Sequence, residues 1–135
     1  IFESGVGENP ITIIISSFGF KNGIPLDCDY LFDVRFLPNP NYVPELRRFS
    51  GADVQIREFM DRIPEKGRFV DRAESLLEFV LNQYGSAGKR QMHAAVGCTG
   101  GRHRSVAVAE ELASRLALRG YSVSTCHRDI DREAL

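Results

Sequence analysis

Val96-Gly97-Cys98-Thr99-Gly100-Gly101-Arg102-His103-Arg104-Ser105-Val106 is the most informative stretch of this chain of 135 residues. It starts at the end of an apolar run, Met92 to Val96, and crosses a glycine pair. It then enters Arg104 to Arg119, where Val108, Leu112 and Leu116 recur on one face and Gly120 supplies the stop. A buried strand that hands over to an amphipathic helix through glycines is a joint of a parallel α/β sheet. In such sheets ligands sit beyond the carboxyl ends of the strands.

The residue types in this joint say what it takes. Gly100 and Gly101 remove side chains, so backbone N–H groups can converge on an oxyanion. The helix start adds about half a positive charge. Arg102 and Arg104 bring planar forks suited to phosphate oxygens, Thr99 and Ser105 bring hydroxyls, and His103 is a further donor. A tight turn with solvated arginines is the blander account, but so many donors in one joint favour a phosphate, sulfate or carboxylate ligand.

Cys98 adds a second possibility. Cys98 and Arg104 are spaced as Cys-x5-Arg and followed by Ser105, which resembles the loop of cysteine-dependent phosphatases, where an activated thiolate attacks phosphorus. Gly97 stands where that family usually has a histidine. Asp33, Asp53 and Asp129 are available as acids, but nothing in the sequence places one at the loop. A non-catalytic binding site is therefore the expectation, with catalysis by Cys98 and Arg104 as the alternative.

Outward from the joint, the chain reads as one α/β domain. Residues 1–9 form a loose lead-in, and the domain itself covers 10–135. Ile11 to Ile15 is a β-branched strand, apolar on both faces as in a parallel sheet. Ser16 to Pro25, broken by Gly19 and Gly23, reads as a loop. Tyr30 to Phe36 is a second strand, and the prolines at 38, 40 and 44 keep the following stretch extended or turning. A short helix is expected over Ala52 to Arg62 with Ser50 as its cap. A longer one is expected over Arg68 to Tyr84, with Phe69, Ala73, Leu76, Leu77 and Val80 on its inner face and Gly85 ending it. Met92 to Val96 and Tyr121 to Cys126 complete a mostly parallel sheet of about four strands flanked by helices.

Composition narrows the class. At 43% hydrophobic and 26% charged residues, with a net charge of −1, the chain is an ordinary globular domain rather than a disordered one. Charge is uneven, since five arginines stand against two glutamates between Cys98 and Arg128. Such a patch would attract phosphate. Cys28, Cys98 and Cys126 form no Cys-x-x-Cys pair, so no metal site and no disulfide framework is expected. No apolar run reaches the roughly 20 residues of a membrane span, and the start lacks the pattern of a signal peptide. The chain begins at Ile1 rather than at methionine, so a piece of a longer protein is expected.

Three segments together are similar to a known family. They are Ser17-Phe18-Gly19-Phe20-Lys21-Asn22-Gly23-Ile24-Pro25, Phe32-Asp33-Val34-Arg35-Phe36-Leu37-Pro38-Asn39-Pro40 and the 97–106 joint, followed by His127-Arg128. In this order they resemble the C-terminal domain of the RNase adapter RapZ, over about 11–128. The resemblance implies a bacterial cytoplasmic, oligomeric domain that binds RNA and senses glucosamine-6-phosphate, with an endoribonuclease or regulatory protein as partner. It also implies an N-terminal kinase-like domain. No Gly-x4-Gly-Lys-[Ser/Thr] occurs here, so no nucleotide cofactor is expected in this chain, and an ATP or GTP site would belong to that other domain. Cys98 to Ser105 would hold the phosphate, and Ser17, Lys21, Asp33, Arg35 and Asn41 would wall the sugar pocket. Arg115, Arg119, His127 and Arg128 are the expected RNA contacts.

Overall fold

A computed structural model of the chain describes residues 11–132, and of 85–87 it describes the backbone alone. Four strands form one all-parallel sheet in the order β2-β3-β1-β4. They are β1 (Thr12–Gly19), β2 (Tyr30–Asp33), β3 (Gln91–Cys98) and β4 (Ser122–His127). Helices α1 (Val54–Asp61) and α2 (Pro64–Ala87) join β2 to β3, and α3 (Arg104–Leu118) joins β3 to β4. Both crossovers step across the sheet in the same direction. Right-handed connections therefore place all three helices on one face. There Ile13 and Ile15, in register with Met92 and Ala94, pack with Val70 and Leu77 of α2 and with Leu112 of α3. Each of these side chains except Ala94 contributes about 1.5–3 kcal/mol of burial.

β1 runs four residues beyond the expected Ile15, so Ser16 to Gly19 is strand rather than loop. The central position explains it, because β1 is paired on both edges and its serine hydroxyls find partners. Ser16 Oγ lies 2.7 Å from His93 Nε2, and Ser17 Oγ lies 2.7 Å from His127 Nδ1. β2, at the sheet edge, stops at Asp33 instead of Phe36, where the Asp33 carboxylate accepts the Arg35 amide at 2.9 Å and turns the chain. The proline-rich segment that follows folds into two 3-10 turns, Pro40–Tyr42 and Pro44–Leu46, each opened by its proline.

The helices also differ from expectation at their ends. Asp53, not Ser50, stands at the N-terminal boundary of α1, and the Asp53 carboxylate accepts the Ser50 amide at 2.7 Å. α2 begins at Pro64, whose fixed φ suits the first helical turn. It passes through Gly85 and ends at Gly88, with φ 74°. Its inner face includes Val70 and Leu81, whereas Leu76 is 45% exposed. The lead-in over 1–9 lies outside the described residues.

Candidate anion-binding site

The loop between β3 and α3 is fixed from below by close backbone contact. Gly101 has φ +83°, and a Cβ there would fall 2.6 Å from the Gly19 amide nitrogen and 2.8 Å from Asp129 Cβ. A Cβ on Gly19 would lie 2.4 Å from the Gly100 carbonyl carbon. Glycine is therefore required at both positions. The Gly19 amide donates to Asp129 Oδ2 at 2.7 Å, and the Lys21 amide donates to the Thr99 carbonyl at 3.2 Å.

Above this floor the loop presents donors. Among the described residues, the amides of Gly100, Gly101, Arg102 and His103 donate to no protein acceptor. They lead into the first turn of α3, which no side chain caps. Helix starts with open amides are anion sites through both hydrogen bonding and dipole. Gly100 adds room, because a Cβ there would meet only Lys21 Cε at 3.9 Å.

Two adjoining chambers open on the loop. The smaller, about 170 Å³, is lined by residues of the 98–104 loop together with Lys21, Asn39 and Asn41. The larger, about 500 Å³, shares Asn39, Thr99 and Arg104 and adds Arg35, Tyr42 and Phe59 among its walls. Among the described residues, lysine and arginine contribute to these walls and no aspartate or glutamate does. An anion in the smaller chamber therefore meets donors and positive charge, whereas Leu37, Pro38, Val43 and Phe59 make part of the larger one apolar.

Arg104 is 5% exposed and forks over this space. Its Nη1 donates to the carbonyls of Arg35 (2.8 Å) and Leu37 (2.9 Å), and its Nη2 donates to Thr99 Oγ1 (3.2 Å). Its Nε is buried and has no hydrogen-bond partner. Arg102 donates to the carbonyls of Ile130 and Arg47, each at 3.2 Å, while His103 Nε2 donates to the Phe49 carbonyl at 2.5 Å.

Burial of the His103 ring lowers its pKa below the ordinary histidine value; the Phe49 carbonyl opposes this, and the adjacent Arg102 and Arg104 charges reinforce it. A depressed histidine pKa means that the unfolded chain takes up a proton that the folded ring resists. Stability from this residue is thus present above about pH 6.5 and is lost as pH falls below it. The melting temperature should drop between pH 7 and pH 5.5, and His103→Gln, which keeps a donor for Phe49, should flatten that part of the profile. An unchanged slope in the variant would contradict the assignment.

Cys98 Sγ lies 3.2 Å from Ser105 Oγ, and both side chains are buried. At Gly97 a Cβ would come within 2.4 Å of Phe18 Cζ and 2.7 Å of Phe20 Cε2, so no side chain fits where cysteine phosphatases carry their histidine. None of Asp33, Asp53 and Asp129 lines either chamber.

The other expected site residues divide. Lys21, Asn41 and Arg35 reach the chambers. Arg35 also stacks 3.9 Å over Phe20 and holds Asp33 in a two-point pair, at 2.7 and 3.0 Å, whose hydrogen bonds keep the Asp33 carboxyl below the usual range. Ser17 is fully buried beneath the sheet end, where His127 links it to Glu110 through a 2.6 Å contact. Arg128 donates to Asp129 (2.9 Å) and to the Gly23 carbonyl (2.7 Å). Arg115 is held by Asp71, Glu74 and Glu111, and Arg119 by Glu74 and Glu78. Sequence reasoning missed Asn39, Tyr42 and Phe59. The first two stand in or beside the Pro-Asn-Pro run that already carried the resemblance, whereas nothing local marks Phe59.

Comparison with known proteins identifies the family. The family model for the RapZ C-terminal domain matches residues 11–131. A nucleotide-binding protein of Clostridium acetobutylicum is 47% identical over 131 residues, which is 97% of this chain and 45% of that protein. Nucleotide-binding proteins of Clostridium botulinum (47% over 126 residues, 93% and 43%) and Clostridium kluyveri (46% over 131 residues, 97% and 45%) are similar. The chain spans about half the length of the curated relatives it matches. The match runs from the first strand past the last and takes in the whole donor-rich loop, so the chain belongs to the RapZ C-terminal domain family.

Proposed function

We propose that this domain is a non-catalytic sensor of a phosphorylated metabolite, an amino-sugar phosphate such as glucosamine-6-phosphate, within an RNA-binding adapter. One observation carries the reading: open backbone amides lead into a chamber that, among the described residues, is lined by Lys21, Arg102 and Arg104 and by no carboxylate. The phosphate sits on the amides of 100–103, and Lys21, Asn39 and Asn41 meet the sugar hydroxyls. In this reading the domain works in the cytoplasm, in an oligomer whose copies bind RNA with avidity and present it to an endoribonuclease or a regulatory protein. The relatives' names refer to nucleotides. This chain has no Walker loop, so an ATP or GTP site is assigned to the part of those proteins that it does not match, and the domain itself needs no cofactor.

Calorimetric titration with glucosamine-6-phosphate tests the site. Gly100→Ala leaves the fold room for its methyl group but puts it beside Lys21, and it should weaken binding about tenfold or more, roughly 1.4 kcal/mol. Equal affinity in both proteins would overturn the placement.

The Sγ–Oγ contact between Cys98 and Ser105 favours a second reading, a phosphatase. Against it, none of Asp33, Asp53 and Asp129 lines either chamber to serve as the general acid. Release of phosphate from an aryl phosphate that disappears in Cys98→Ser would establish catalysis instead.

RNA contact is assigned to Arg115, Arg119, His127 and Arg128. Arg115 and Arg119 share their charge with α2 carboxylates, so binding should be weak and steeply salt-dependent. A gel shift insensitive to salt and to charge reversal at Arg115 and Arg119 would refute that face.

A further inference from the structure

The segment between β2 and α1 walls both chambers, and the anion loop holds it at its two ends. At the near end Arg104 donates to the carbonyls of Arg35 and Leu37. At the far end Arg102 donates to the Arg47 carbonyl, His103 donates to Phe49, and the Gly51 amide donates back to the Arg102 carbonyl at 2.6 Å. Between these anchors Asn39 and Asn41 wall the small chamber, and Tyr42 and Val43 wall the large one. The consecutive Arg102, His103 and Arg104 thus act as clamps on main-chain carbonyls while the amides beneath them stay open.

We propose that residues 38–50 are a ligand-responsive strap, ordered by occupancy of the anion chamber. The inference rests on the anion-site reading and adds its regulation. A ligand in the small chamber touches the loop on one side and Asn39 and Asn41 on the other, so it binds the closed strap better than an opened one. Differential affinity of this kind shifts the strap toward closure, and closure tightens the ligand by the same factor. The two roles of Arg104 do not compete, because Nη1 alone keeps both carbonyls and the side chain also lines both chambers. Outside the chamber the strap carries exposed Arg47 and Arg48, so its order is legible at the surface.

Trypsin reads it directly, since cleavage after Arg47 or Arg48 requires local opening. With the whole chain, fragments from these two sites are followed by mass spectrometry, with and without inorganic phosphate or glucosamine-6-phosphate. Binding is measured in parallel by calorimetry. At ligand ten times above its dissociation constant, cleavage at 47 and 48 should slow about tenfold. In Arg102→Met, which frees the far anchor, unliganded cleavage should accelerate several-fold. Ligand that binds without changing the rate at these sites would overturn the strap and leave the anion site standing. Failure of both anions to bind would remove the anion site and the strap with it. A rate in Arg102→Met equal to that of the wild type would also contradict the clamp.

Discussion

Asp129→Ala should lower the unfolding free energy by about 3 kcal/mol and the melting temperature by about 10 °C. The carboxylate is fully buried under the glycine loop. It accepts the Gly19 amide at 2.7 Å and pairs with Arg128 at 2.9 Å and Arg132 at 2.7 Å. Burial alone would push its pKa up, but the Arg128 hydrogen bond, the Gly19 amide and the charges of Arg128 and Arg132 hold it below the ordinary carboxylate range. Truncation leaves a buried amide without an acceptor at the point where β1 meets Gly101. The two arginines are partly exposed and rehydrate, which keeps the cost at the lower end for a broken buried pair. The sign with pH follows. A depressed carboxyl pKa stabilises the fold above about pH 4 and ceases to do so as pH falls below it. Wild-type and variant stabilities should therefore converge in acid. A variant melting within 2 °C of the wild type at pH 7, an interval worth about half a kcal/mol, would contradict this account.

Arg104→Ala should weaken a phosphosugar at least 100-fold, the loss of a charge-assisted, desolvated contact of about 3 kcal/mol. It should also loosen the Arg35–Leu37 turn, since two carbonyls lose their donor. Arg104→Lys separates the two effects. A single ammonium keeps the charge but lacks the fork needed to hold both carbonyls and an anion together. Its affinity should fall between those of wild type and Arg104→Ala, with circular dichroism unchanged. Equal calorimetric affinity in all three proteins would show that the guanidinium plays no part in binding.

The contrast between these residues shows what a sequence can display. The β3–loop–α3 joint was readable because glycines, a short apolar run and a 3.6-residue period are local signals. Parallel topology followed from the alternation of strand and helix. The extension of β1 was hidden because Ser16 and Ser17 look like loop residues until His93 and His127, far along the chain, satisfy their hydroxyls. The first turn of α2, Pro64 to Gly67, was not legible because proline and glycine are poor helix formers away from a helix start. Leu76 fits the apolar stripe by spacing, yet the helix turns it outward beside Phe79. Among site residues, the arginines were visible as charges but their partners were not. Arg115 and Arg119 are tied to α2, and Asp129 gives no local hint that it lies under the loop. Phe59 reaches the chamber only through the packing of α1.

The amide hydrogens of Gly100 to His103 offer the most direct measurement of whether this loop cradles a phosphate. In a two-dimensional proton–nitrogen spectrum of the wild-type chain, stepwise addition of inorganic phosphate should shift the Gly100, Gly101, Arg102 and His103 amides downfield, saturably and in parallel. If those resonances stay in place while phosphate shifts only groups on the outer surfaces of α2 and α3, the anion binds elsewhere, and the glycine loop serves the fold alone.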